Sequence, residues 1–267
     1  MYSVISSWFS DWSDGIIFQC FSIWHWMYIA LIVGLITVSI CFLRNRSVSV
    51  KKKWTNLFID LVFCLYIADF FLMPFALGEI DVDKLPFHSC TSMCVMCFWS
   101  NHNRVLGKLR VHFALLGVLS NLMYIAYPSG VMSYETHPFS YRAVQTLLFH
   151  SLMVVYGTLV LVFHGKELRL KKCYKDACIL LGLTVWAFLG NTFYSGETEG
   201  YSRNFNWFFI RQDPFDLVPE QIAPYICPVI NFVAFFTLEI LIYLLCAAFQ
   251  KGKDRKRGQE ADAAESA

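Results

Sequence analysis

Seven apolar runs, most of them close to the length needed to cross a bilayer, dominate this sequence. They lie at residues 21–43, 54–77, 85–100, 111–127, 143–164, 177–194 and 223–249. A spanning helix needs about 20 apolar residues, and the third and fourth runs are the shortest of the seven. The chain is 57% hydrophobic and only 16% charged, which is more apolar than a soluble domain requires. The sequence therefore predicts an all-α integral membrane protein folded as a seven-transmembrane-helix bundle.

The connections between these runs alternate in basic charge. Most of the 22 Lys and Arg residues fall in 44–53, in 101–110, in 165–176 and after 250. Connections rich in Lys and Arg remain in the cytoplasm. The pattern predicts that the N-terminus is outside and the C-terminus is cytoplasmic, which requires an odd number of spans. We expect a multi-pass protein of the cell membrane.

Composition divides the chain into three parts. Residues 1–20 place Trp8, Phe9 and Trp12 among serines and aspartates, which is typical of a segment at the membrane interface. The seven-helix membrane domain occupies 21–250, and the polar basic and acidic tail at 251–267 is predicted to be disordered in the cytoplasm. No nucleotide-binding glycine motif is present, and we expect neither a cofactor nor a nucleic-acid partner.

Polar side chains recur in the outer half of the predicted bundle. At a rise of about 1.5 Å per residue, their depths range from the rim to about 12 Å. They are Asp69, His88, Asn121, Gln145, His150, Asn191 and Asn231. Polar groups in hydrocarbon usually face the protein interior or a wet cavity, although interhelical hydrogen bonding explains any single asparagine equally well. A carboxylate and two imidazoles at one depth form a set that moves protons, so we predict a polar cavity open toward the outer leaflet.

The third run contains a histidine and three cysteines in "KLPFHSCTSMCVMC", residues 84–97. Cys90, Cys94 and Cys97 share one helical face, and His88 lies on another side of the helix. The four side chains therefore do not converge as metal ligands, and we predict no metal. Cys94 and Cys97 fit a packing stripe. Cys90 lies near His88, which makes it a candidate nucleophile, and Thr91 is a second candidate.

Three stretches resemble one known family: "LPFHSCTS" (85–92), "HPFSYRAVQTLLFHSLMVVYGTLVLVFHGKEL" (137–168) and "RNFNWFFIRQDPF" (203–215). They resemble YwaF-type bacterial integral membrane proteins and the eukaryotic transmembrane acyltransferases that form polyunsaturated ether phospholipids. The resemblance covers most of the chain after residue 50. It implies a cysteine nucleophile in a Pro-Cys-His element and a histidine base on a later helix.

Carried onto this sequence, the resemblance implies that the base is His150 and that the histidine beside the nucleophile is His88. The nucleophile position itself is occupied by Phe87, which cannot attack a carbonyl. Cys90 would have to substitute from one turn further along. More distant relatives that hydrolyse fatty-acid esters with threonine and histidine keep Thr91 as an alternative.

Three functional hypotheses remain open. The first is a membrane-embedded acyltransferase or hydrolase that acts on membrane lipids. Its predicted catalytic residues are Asp69, His88, Cys90 and His150, and its predicted substrate-binding residues are Asn121, Gln145, Asn191, Asp213 and Asn231. The second is a non-catalytic binder or transporter of a small solute or lipid headgroup, which Phe87 favours. A structural or accessory subunit ranks last.

His112, His164 and Asp60 are assigned to wet cytoplasmic helix ends, and Glu239 has no assigned role.

Overall fold

The computed structural model of the chain describes residues 15–77, 82–132, 135–198, 201–203, 205–212 and 217–265. Within these residues, seven helices of 14 residues or more follow the apolar runs. They are α1 (Ile23–Leu43), α2 (Val48–Leu77), α3 (Ser89–His102), α4 (Arg110–Ala126), α5 (Tyr141–His164), α6 (Tyr174–Tyr194) and α7 (Ala223–Glu265). Among the described residues, the one departure from an all-α fold is a short hairpin, in which β1 (Gly196–Thr198) pairs antiparallel with β2 (Tyr201–Arg203).

Six of these helices are long and apolar enough to cross a membrane: α1, α2, α4, α5, α6 and α7. Helix α3 has 14 residues, which is too few to cross the hydrocarbon core unaided. The helices thus support a multi-pass membrane protein. The count of seven spans and the orientation of the termini stay predictions.

Helices α4 and α5 form the centre of the bundle. Helix α4 packs against α3, α5, α6 and α7, and α5 also packs against α1 and α2. Gly157 allows α4 and α5 to approach closely, because a Cβ at this position would lie 2.3 Å from Cγ2 of Val118. Small residues have this role at many membrane helix interfaces. The residues that α4 and α5 carry are therefore the most enclosed in the molecule.

The described end of the segment predicted to lie at the interface is attached to the bundle. The Phe18 N–H donates to the Thr136 carbonyl at 2.9 Å, and the Phe18 ring is fully buried. His25 is also fully buried, and its Nε2 lies 2.7 Å from the carbonyl oxygen of Ile125. These contacts fix the entry to α1 against the connection between α4 and α5. The rest of the segment, residues 1–14, lies outside the described residues.

Helix α7 continues as helical backbone to Glu265, beyond the domain boundary predicted at residue 250. The extension is rich in Lys, Arg, Glu and Ala, which are good helix formers. The disorder predicted for 251–267 stays a prediction.

All ten cysteines are free. Cys94 and Cys97 are fully buried in the main hydrophobic core, as the predicted packing stripe requires. In the part of the chain that the structure describes, no group of three or more His, Cys, Asp or Glu side chains is arranged to hold a metal.

Candidate functional site

A buried ion pair links α2 to the turn that precedes α3. The Lys84 Nζ lies 2.8 Å from Oδ2 of Asp69, whose side chain is 2% exposed. The hydroxyl of Tyr66 donates to the Lys84 carbonyl at 2.9 Å and attaches the turn Val82–Lys84 to α2. We define the outer polar cluster as Asp69, Lys84, His88, Asn121 and His150. Its acidic member is thus neutralised by its own lysine.

His150 is held in a single tautomer by its neighbour on α4. Asn121 donates from Nδ2 to the Gly117 carbonyl at 2.6 Å, so its Oδ1 faces His150 as an acceptor. His150 Nδ1 lies 2.6 Å from that oxygen and therefore carries the proton. The Tyr124 ring stacks on the imidazole with centroids 3.8 Å apart. In the neutral ring, Nε2 is left with a free lone pair, and no described residue forms a hydrogen bond with it.

His88 has the opposite tautomer. It is the residue immediately before α3, and its Nδ1 accepts the Phe208 N–H at 3.5 Å. In the neutral ring the proton is therefore on Nε2, which makes this atom a donor. His88 and Lys84 both lie close enough to His150 to interact with it electrostatically. The cluster therefore combines an imidazole lone pair, an imidazole N–H and an ammonium group.

Cys90 lies in the first turn of α3, half-buried against the main core. Burial disfavours its thiolate form, whereas Lys84 and the backbone N–H groups of Cys90 and Thr91 favour it. Among the described residues, no hydrogen bond joins the Cys90 sulfur to His88 or His150. Thr91 is less available, because its hydroxyl donates to the His88 carbonyl at 3.1 Å.

Phe87, at the position of the family nucleophile, is a packing residue. Its ring lies 4.8 Å from the rings of both Trp186 and Trp207 and is buried. A Cβ at Gly190 would approach this ring to 2.4 Å, so the glycine on α6 makes room for it. The aromatic side chain therefore joins α3 and α6 through contact area.

The loop 205–212 crosses the end of the bundle that carries the outer polar cluster. Asn191 bonds twice to Trp207, donating to its carbonyl at 3.0 Å and accepting its N–H at 2.8 Å. Asn231 donates to the carbonyls of Phe208 and Phe209, both at 2.9 Å. These two phenylalanines have φ of 60° and 51°, which non-glycine residues seldom adopt. The asparagine amides therefore hold a strained loop and are already engaged, so we leave them out of the proposed site.

Two further substrate-binding residues were predicted, Gln145 and Asp213. Gln145 is buried near the start of α5, where its Oε1 accepts the Thr146 hydroxyl at 3.3 Å. No hydrogen bond joins Gln145 to a described residue of the outer polar cluster. Asp213 lies outside the described residues.

Lys84 is the member of the outer polar cluster that the sequence did not single out. It lies outside the four basic stretches, so the charge pattern does not mark it. Its position directly before the third apolar run was a usable signal, because a cation next to intramembrane acids and imidazoles seldom lacks a partner. Tyr66 and Tyr124 gave no signal, since tyrosine at a helix interface usually serves packing.

An apolar cavity of about 440 Å³ lies between α3, α4 and α6. Its lining includes Met93, Phe113, Leu183 and Trp186, and also Pro86, which is two residues from both Lys84 and His88 in the sequence. The Trp186 Nε1 donates to the Pro86 carbonyl at 2.7 Å and closes the wall next to Phe87. The volume falls in the range of small-molecule sites, and the lining is almost wholly apolar.

The chain matches one protein-family model, that of the TMEM164 family, over residues 20–249. The match includes every described residue of the outer polar cluster and of the cavity. No curated protein and no solved structure matches the chain.

Proposed function

Because the chain belongs to the TMEM164 family, a family of transmembrane proteins, we propose that it is a membrane-embedded enzyme that transfers or hydrolyses lipid acyl groups. One observation carries this proposal. Buried His150 is fixed by Asn121 with its Nε2 lone pair free, beside Lys84 and His88. Acyl transfer needs an oriented general base and a positive charge that stabilises the developing oxyanion, and an oriented imidazole next to positive charge provides both.

In the proposed reaction, His150 is the general base and Cys90 the nucleophile. The His150 Nε2 takes the thiol proton, and the sulfur forms a bond to the carbonyl carbon of a lipid ester. The bond from that carbon to the ester oxygen breaks, and the lipid alcohol leaves with the proton that His150 held. Water or a second lipid alcohol then attacks the thioester carbonyl carbon while His150 accepts its proton. The carbon–sulfur bond breaks, the acyl group leaves on the attacking oxygen, and the Cys90 sulfur takes the proton back from His150.

Lys84 and the Nε2–H of His88 are the proposed stabilisers of negative charge on the carbonyl oxygen. Both are close to His150, and donors in a desolvated site are worth far more than donors in water. Asp69 acts as a positioning residue, because its ion pair fixes where the lysine ammonium lies.

The apolar cavity is the proposed site of an acyl chain. Pro86, the neighbour of Phe87 in the sequence, belongs to its wall, and the other lining residues are almost all apolar side chains of α3, α4 and α6. A lipid tail in this space would leave its ester near the outer polar cluster. The substrate is therefore proposed to be a membrane lipid.

The proposed topology is the one inferred from the basic connections, with the N-terminus outside, the C-terminus cytoplasmic and α3 as a short seventh span in the cell membrane. Helix α3 packs against α2 and α4, so much of its length is surrounded by protein instead of lipid. A short span is tolerated in such a position. Under this topology, the outer polar cluster faces the outer leaflet.

The test compares lipid composition in cells that express the wild type, His150→Gln or His102→Gln. His102 is the matched control, since it forms an exposed ion pair with Asp60. We expect the wild type and the control to change the acyl composition of membrane lipids and His150→Gln to leave it unchanged. Equal lipid profiles for all three proteins, each expressed and folded, would refute the proposal.

The nucleophile is tested by a second pair of variants. Cys90→Ser should lose activity and labelling by a thiol-reactive lipid probe, whereas Thr91→Val should retain both. Loss of activity only in Thr91→Val would indicate that Thr91, and not Cys90, is the nucleophile. Because Cys94 is fully buried, Cys94→Ala serves as the labelling control.

A non-catalytic binder is the second candidate, and the packing of Phe87 favours it. With an aromatic anchor at the nucleophile position, the same cluster would hold an anionic headgroup at Lys84. This candidate predicts saturable thermal stabilisation by lipid, no covalent adduct and no change in lipid composition. A Cys90 adduct that disappears in His150→Gln contradicts it.

A further inference from the structure

A second buried polar group lies at the opposite end of the bundle from His150. His112 in the first turn of α4, Asp176 in the first turn of α6 and Tyr243 on α7 are each at most 3% exposed. The His112 Nδ1 lies 3.0 Å and 3.1 Å from the two carboxylate oxygens of Asp176. The Tyr243 hydroxyl donates to Asp176 Oδ2 and lies 3.1 Å from His112 Nδ1. The expectation that His112 lies at a wet helix end is therefore wrong, because three helices enclose it.

Glu239 adds a second carboxyl to this group. It precedes Tyr243 by four residues on α7, so both side chains lie on the same face of the helix. Glu239 is fully buried, and neither Oε1 nor Oε2 has a hydrogen-bond partner in the described part of the chain. It interacts electrostatically with Asp176 and with Tyr243. We define the inner polar cluster as His112, Asp176, Glu239 and Tyr243.

The charges of the inner polar cluster do not balance without a bound cation. It holds two carboxyls and a single imidazole, and Cys173 interacts electrostatically with its Tyr243. A buried carboxylate without a donor or cation is too costly to persist. A metal ion needs several ligands, and no described group of three or more has that arrangement. A proton needs only one carboxyl oxygen.

We propose that the inner polar cluster is a proton-binding site, in which Glu239 holds a proton that it exchanges with the Asp176–His112 pair. In the exchange, the O–H bond of Glu239 breaks and an N–H or O–H bond forms on that pair, while Tyr243 stays neutral. The number of protons in the cluster is conserved during the exchange. Asp176 and His112 occupy the first turns of their helices.

The proposal does not depend on acyl chemistry. Along α4, the inner polar cluster lies about 13 Å from Asn121, at the other end of the helix. A measurement of proton binding at the inner polar cluster is therefore independent of any activity at His150. The probe is the proton itself, followed in the full-length protein in lipid nanodiscs.

The experiment records infrared difference spectra during a pH titration and follows the C=O stretch of a protonated carboxylic acid. We expect this band in the wild type at neutral pH, a shift of the band in D₂O, and its loss in Glu239→Gln. Glu220→Gln, which changes an exposed glutamate, and His150→Gln should both retain it. If Glu239→Gln does not fold, Asp176→Asn and Tyr243→Phe supply the readout, because each should shift the band by changing its surroundings.

Three results would overturn the proposal. The first is absence of the band from the wild type at neutral pH. The second is a band that persists unchanged in Glu239→Gln. The third is loss of the band, together with greater heat stability of the protein, when sodium replaces a large organic cation in the buffer. This result would mean that an alkali-metal ion occupies the cluster.

Discussion

The outer and inner polar clusters both bury charged groups between membrane helices, but the charges are compensated differently in each. In the outer cluster, Asp69 is paired with Lys84 at 2.8 Å, and His150 is held by a neutral amide. In the inner cluster, Asp176 accepts bonds from an imidazole and a phenol, and Glu239 accepts none among the described residues. The outer cluster contains its own cation, and the inner cluster does not.

This difference separates two kinds of chemistry. A carboxylate with its own lysine leaves a histidine lone pair and a positive charge available for a substrate. A surplus carboxyl in an enclosed site requires a cation from outside, and the smallest is a proton. The contrast makes four predictions about stability, each tested by denaturant titration in detergent micelles.

The largest effect is expected from Asp176→Asn. The substitution removes the charged acceptor shared by His112 and Tyr243 in a site that is 1% exposed. Breaking a buried pair of this kind costs about 3–5 kcal/mol of unfolding free energy. A loss below about 1 kcal/mol would show that water reaches this end of the bundle, since solvation would then replace the lost bonds.

Lys84→Met is expected to cost about 2 kcal/mol, less than Asp176→Asn. The substitution leaves Asp69 buried without its cation, but the lysine itself is 21% exposed, so part of the pair already contacts solvent. Combining it with Asp69→Asn should recover at least half of the loss, because the orphaned charge is removed. Additive losses in the double variant would mean that the two side chains do not stabilise each other.

Glu239→Met is expected to stabilise the protein by about 1 kcal/mol. A side chain of similar length removes a polar group that has no described partner and keeps the core filled. The matched control is Asp69→Met, which should destabilise the protein because Lys84 loses its acceptor. Destabilisation by Glu239→Met would indicate that the carboxyl has a partner.

The smallest effect is expected from Asp60→Asn. Asp60 and His102 form an ion pair at 2.8 Å, but both side chains are more than 40% exposed. Exposed pairs contribute about 0–1 kcal/mol, so the change in unfolding free energy should stay below about 0.5 kcal/mol. An effect comparable with that of Lys84→Met would remove the distinction between buried and exposed pairs on which the comparison rests.

Much of the site could be expected from the depths of residues along the apolar runs. Asp69, His88, Asn121 and His150 were singled out because polar groups in a spanning helix must face protein or water. Their partners were not predictable. Lys84 belongs to a short turn, and Asp176, which organises the inner cluster, follows a lysine-rich connection where an acid is unremarkable.

The partners of two asparagines could not be predicted for the same reason. Asn191 and Asn231 lie at depths that suit headgroup binding, yet both hold the backbone of loop 205–212. Sequence position indicates how deep a side chain lies, but it does not indicate which backbone atoms a distant loop presents to it. The burial of Phe87 could not be predicted either, because it depends on Gly190, about one hundred residues further along the chain.

The sequence by itself determined the apolar runs that become helices and the position of each polar residue along its helix, because helix length and rise follow from local composition. Only the tertiary structure decided which side chains meet. Helices such as α1 and α7 are apolar on every side, so no stripe marks the face that packs inward. The pairings of Asp69 with Lys84 and of Asp176 with His112 depend on helix rotation and neighbour choice, which packing of the whole bundle sets.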